Sequence, residues 1–220
     1  MAKLESASKM GLPRCGQNLQ NITYGYIMNV SDNIQTRAWS KLKFYDPELI
    51  LQQLRIIETQ VSRFSICKSM SALRTNKLKK YKEGREAALL CYGIGKCVLG
   101  TTVFFSPEED SDYDFIAKWR IDDIEHYAPV QLKEWTPVHL NRQDELVDII
   151  KRLNKYTNSR DTIFGIYLNR SVNIDFSDII IPDLNFAGIW LFGFNSHSGS
   201  WFIYGDVLSH AQYLEFNYPM

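Results

Sequence analysis

Three polar residues stand out by type and spacing: Asp114 in the segment SDYDFIAKW, and Gln131 and Lys133 in YAPVQLKEW. Side chains two apart on an extended strand leave the same face, so Gln131 and Lys133 point together while Leu132 points away. A hairpin between the two segments can carry Asp114 alongside them. A carboxylate, an amide and an ammonium gathered on one sheet face form a cluster suited to stabilising developing charge. The competing structural account is that Asp114 caps a strand while Gln131 and Lys133 line a water-facing edge.

Other chemical signals are weaker. Gly93-Ile94-Gly95-Lys96 lacks the spacing of a phosphate loop, and Cys97 stands where that loop needs a hydroxyl. His126, His139, His197 and His210 are dispersed and form no local metal pair or nucleophilic triad. Cys15, Cys67, Cys91 and Cys97 form no C-x-x-C pair and have no histidine at zinc-ligand spacing, so they read as reduced, mostly buried thiols.

The surrounding pattern supplies the elements. Residues 1–40 show no sustained periodicity. Asp46-Pro47-Glu48 provides an N-cap, a proline at the first helical position and an early acid, predicting a helix over 47–68. A second helix carries Ala87, Ala88, Leu89, Leu90, Cys91, Ile94 and Val98, with Gly93 and Gly95 weakening its far end. Thr101–Phe105, Tyr113–Arg120 and Tyr127–Trp135 are strand candidates, the last two separated by Asp122-Asp123. Leu146, Ile149, Ile150 and Leu153 recur at helical spacing after a cap at Asn141 or Asp144, and Thr162–Leu168 returns to strand character. That helix is the crossover a parallel pairing of the last strand requires. Further strands are expected at Ile179–Ile181, Ile189–Phe194 and Trp201–Tyr204, with NSHSGS at 195–200 as a hairpin turn.

The order helix, three strands, helix, strand, with Asp114 opening one strand and Gln131-Leu132-Lys133 on the next, resembles the PD-(D/E)XK or restriction-endonuclease-like nuclease superfamily. The resemblance covers residues 81–170, less than half of the chain. It implies an α/β fold in which 1–80 is a partly helical elaboration and 171–220 a β-rich extension of the same domain. It also implies a metal-dependent nuclease: Asp114 and the amide oxygen of Gln131 would bind Mg²⁺ or Mn²⁺. Lys133 would hold the attacking water or the phosphate oxygens. The family often adds an acid from the first core helix, which matches Glu86 in KEGREAALL, with Glu83 one turn earlier and Asp112 as alternatives. The sequence departs from the pattern at Gln131, where the amide removes one negative charge that Glu86 would have to replace. Glu134 should leave the opposite face.

DNA is the expected partner, ahead of RNA; an inactive nuclease-like module that binds nucleic acid or protein is the alternative. Net charge is no guide, because 25 basic and 25 acidic residues cancel. Locally, Arg74, Lys77, Lys79, Lys80, Lys82 and Arg85 face only Glu83 and are expected either to engage a phosphate backbone or to form a solvated helix face. Trp190, Phe192, Phe194, Trp201, Phe202 and Tyr204 suit a packed sheet or an interface with a protein partner or a second copy. Hydrophobic residues at 45% and charged residues at 23% give the balance of a globular chain. No apolar run reaches the length of a membrane span, so a cytoplasmic protein is expected.

Overall fold

The computed structural model describes residues 34–61, 79–110, 112–143, 145–156, 159–171, 174–175, 184–209 and 211–220. After a short helix α1 (Ile34–Trp39), helix α2 (Pro47–Val61) starts as its sequence dictates. Asp46 Oδ1 accepts from the N–H of Glu48 at 2.8 Å, satisfying a donor that the first turn leaves open. The expected continuation of this helix beyond 61 lies outside the described residues.

Helix α3 (Lys79–Ile94) buries the run from Glu86 to Cys91, then passes into a π-helical turn (Gly95–Leu99). Gly100, at φ 64°, ends it in the left-handed conformation that glycine adopts without penalty. Gly93 is needed for a close approach: a Cβ there would meet Phe216 Cε1 at 2.7 Å and Ile203 Cγ2 at 2.8 Å. The glycine that weakens the helix locally thus lets it lie against the sheet.

Seven strands follow in one mixed sheet whose spatial order is their chain order. They are β1 (Phe104–Ser106), β2 (Phe115–Ile121), β3 (Ile124–Trp135), β4 (Ile163–Leu168), β5 (Gly188–Asn195), β6 (Ser200–Gly205) and β7 (Gln212–Phe216). β1, β2 and β3 form an antiparallel meander; β3, β4 and β5 run parallel; β5, β6 and β7 are antiparallel again. The β2–β3 hairpin closes on Asp122 and Asp123 at φ 46° and 63°, the two left-handed residues a tight type I′ connection needs. Asp supports that conformation better than most side chains.

Between β3 and β4 lies helix α4 (Leu146–Lys151), continued by a 3-10 turn (Arg152–Lys155). Two apolar layers hold the sheet. On one face Ala88, Leu89 and Leu90 of α3 pack with Leu51, Val130, Leu132, Phe192 and Phe216. On the other, Ile149, Ile150 and Leu153 pack with Trp135, Phe164, Ile166 and Leu191.

Several boundaries differ from the sequence expectation. The first strand begins at Phe104, later than the expected Thr101. The N-cap of α4 is Glu145, with no side-chain cap bond, whereas Asn141 Oδ1 accepts from Gln143 N in the preceding turn. Asp144 and the strand expected at 179–181 lie outside the described residues. β7 was not expected; the aromatic C-terminal strands belong to the one seven-stranded sheet. Phe192, Trp201 and Phe202 are buried in it, while Phe194 stays exposed.

Candidate active site

Asp114 sits at the point where β2 has just parted from β3. Its N–H donates to Val130 O at 2.8 Å, and its Oδ2 accepts from the N–H of Leu132 at 2.6 Å. The carboxylate therefore takes over as acceptor for a β3 donor that the departing β2 backbone no longer serves. The Gln131 side-chain amide Nε2 donates to the same Oδ2. Gln131 is buried and Asp114 half-buried.

Lys133 leaves β3 on the same face as Gln131, by the two-residue alternation. Its ammonium lies 5.3 Å from the centre of the Tyr156 ring, which follows the 3-10 turn; Lys155 Nζ lies 5.0 Å from the same ring. Tyr156 packs on Phe164, with ring centroids 5.2 Å apart, and Phe164 is the β4 register partner of Gln131. Asp114, Gln131, Phe164, Tyr156 and Lys133 thus form a continuous patch.

Glu86 is not part of that patch. It points from α3 toward Lys82, with an ion-pair distance of 3.6 Å, and Lys82 Nζ also lies 2.5 Å from Glu134 Oε2. Glu134 shares its face of β3 with Leu132, opposite Gln131 and Lys133, and its Oε1 accepts from Asn169 Nδ2 at 2.7 Å. Burial pushes the Glu86 carboxyl up to about 7 against the pull of the Lys82 ammonium. Glu83, the neighbouring alternative, pairs with Lys79 at 3.2 Å, and Asp112 is exposed.

A divalent cation can be tested against these donors. Asp114 offers one carboxylate. Gln131 offers a neutral amide, whose nitrogen faces Asp114 in the assigned orientation and whose oxygen would have to turn inward. Among the described residues no three His, Cys, Asp or Glu side chains gather as a metal-holding group. One carboxylate and one amide fit Mg²⁺ that retains waters and takes further oxygens from a substrate phosphate, but not a cation caged by protein alone.

The basic stretch before and within α3 has a structural account for its described part. Lys79 pairs with Glu83, Lys82 with Glu86 and Glu134, and Arg85 with Glu58 at 3.4 Å; Lys80 is exposed. Residues 74–78 lie outside the described residues. The Lys155–Tyr156 pair was overlooked in the sequence, although the basic tail KRLNKY at 151–156 signals it.

Comparison with protein-family models, with curated proteins and with solved structures gives no match to this chain. Among the described residues no helix is long and apolar enough to cross a membrane.

Proposed function

We propose that residues 81–170 are a restriction-endonuclease-like core and that the chain is a Mg²⁺- or Mn²⁺-dependent nuclease cleaving DNA phosphodiester bonds in the cytoplasm. The observation that carries the reading is the placement of Asp114 against Gln131, with Lys133 on the same strand face. It occurs within a helix, antiparallel meander, helix and parallel strand, the order that the resemblance implies.

When bound, the metal would lower the pKa of a water and stabilise charge on the scissile phosphate. Asp114 would hold the cation through its carboxylate, and Gln131 through its amide oxygen after turning the amide. Lys133 would hold the phosphate oxygens or the attacking water, its positive charge opposing the negative charge that develops. The amide contributes no charge to the site, so substrate phosphates complete it and metal binding strengthens when DNA is present.

A second reading, a silent nuclease-like module that binds nucleic acid or protein, is favoured by one observation. The Gln131 amide donates to Asp114, which satisfies the carboxylate without any cation. Titration of Mn²⁺ into wild type and Asp114→Asn, each with and without a DNA duplex, separates the two. The nuclease reading expects millimolar or tighter binding to wild type, enhanced by DNA and weakened by the substitution. Equal binding to both proteins, or none, would leave the silent module.

A further inference from the structure

We infer that Lys133, Lys155 and Tyr156 form a clamp for the backbone phosphates of DNA beside the Asp114–Gln131 pair. The inference rests on the proposed function only in taking DNA as the occupant. Two ammonium groups lie 5.3 and 5.0 Å from the centre of one aromatic ring, Lys133 from β3 and Lys155 from the 3-10 turn. Each is attracted by the ring's π face, so the ring gathers two positive charges around it.

Among the described residues neither lysine is paired with a carboxylate, in contrast to Lys79, Lys82 and Arg85. Both charges are therefore left to meet an anion, and a polyanion supplies one at each lysine. The clamp is also placed for the chemistry, because Tyr156 rests on Phe164 and Phe164 lies next to Gln131 in the sheet. Tyr156 is the positioning residue: its ring holds the Lys133 ammonium on the side where the phosphate would arrive. The phosphate-binding surface is therefore assigned to the face that carries Gln131, and not to α3.

The test measures binding of a fluorescent DNA duplex to the full chain in EDTA over a range of salt concentrations. Wild type, Lys155→Gln, Tyr156→Phe, Tyr156→Leu and Lys80→Gln are compared, with circular dichroism to check folding. Loss of one phosphate contact lowers the slope of log affinity against log salt by about one. Lys155→Gln should show that decrease, and Tyr156→Leu should weaken binding with a shallower slope. Tyr156→Phe, which keeps the ring, and Lys80→Gln should match wild type. An unchanged slope for Lys155→Gln overturns the clamp, as does failure of wild type to bind DNA. A shifted slope in a protein that never cleaves DNA leaves the clamp standing and removes the nuclease. Cleavage with an unshifted slope removes only the clamp.

Discussion

The side-chain amide of Gln131 donates to Asp114 Oδ2, the same oxygen that accepts the Leu132 N–H at 2.6 Å. One carboxylate oxygen thus gathers a backbone and a side-chain donor where β2 leaves β3. The arrangement gives Asp114 a structural task as well as its proposed chemical one, and substitutions can separate them.

Removing the acceptor should cost stability whether or not the site is active. Asp114→Ala leaves the Leu132 N–H and the Gln131 amide without this partner and should lower the unfolding free energy by about 1–3 kcal/mol. Asp114→Asn keeps one oxygen as acceptor and should cost less while removing the negative charge. Urea denaturation measures both. Equal stability of wild type and Asp114→Ala would show that the carboxylate does not support the strand end.

Restoring an acid at position 131 should create a metal-dependent fold. In Gln131→Glu two carboxylates stand side by side, which raises the pKa of one of them and destabilises the protein at neutral pH without metal. A divalent cation at about 100 times its Kd would return about 2.7 kcal/mol. The thermal midpoint of Gln131→Glu should therefore rise with Mn²⁺ more than that of wild type. An identical response of the two proteins would place the cation elsewhere.

Much of the scaffold behind this site was legible. Asp46-Pro47-Glu48 announced α2, the strand-forming run Tyr127–Trp135 announced β3, and the apolar spacing from Leu146 to Leu153 announced the crossover. What could not be read was the partnership between faces. β3 is buried on both sides from Tyr127 to Leu132, so its local pattern does not tell which side α3 covers. The family resemblance alone put Glu86 beside Asp114, whereas it pairs with Lys82, which also pairs with Glu134. β7 was missed because only Phe216 of its five residues is buried, leaving little hydrophobic alternation to detect.

The Lys82 cluster gives a pH dependence. Glu86 is 5% exposed, and its carboxyl rises from an ordinary 4.5 to about 7, mainly through burial. A carboxyl raised on folding contributes its full stability below its unfolded pKa and loses it as pH climbs through the folded value. From pH 4.5 to above 7 this group should therefore withdraw on the order of 3 kcal/mol. Glu86→Gln removes that titration, so the wild-type denaturation midpoint should decline more steeply over this range. Parallel profiles would show that Glu86 ionises as it does in the unfolded chain.

Packing between α3 and the sheet gives a further check. A Cβ on Gly165 would meet Leu90 Cδ2 at 2.5 Å and Leu132 Cδ2 at 3.1 Å. Gly165→Ala should cost about 1–3 kcal/mol through overpacking, measured by urea denaturation. A neutral outcome would mean that α3 lies farther from β4.

The most direct measurement incubates wild type, Asp114→Ala and Lys133→Ala with linear, circular and single-stranded DNA and with RNA, each with Mg²⁺, Mn²⁺ or EDTA. The account predicts metal-dependent cleavage of DNA by wild type, and loss of that cleavage in both variants. Cleavage of equal strength in all three proteins, or none by wild type with either metal, would contradict it.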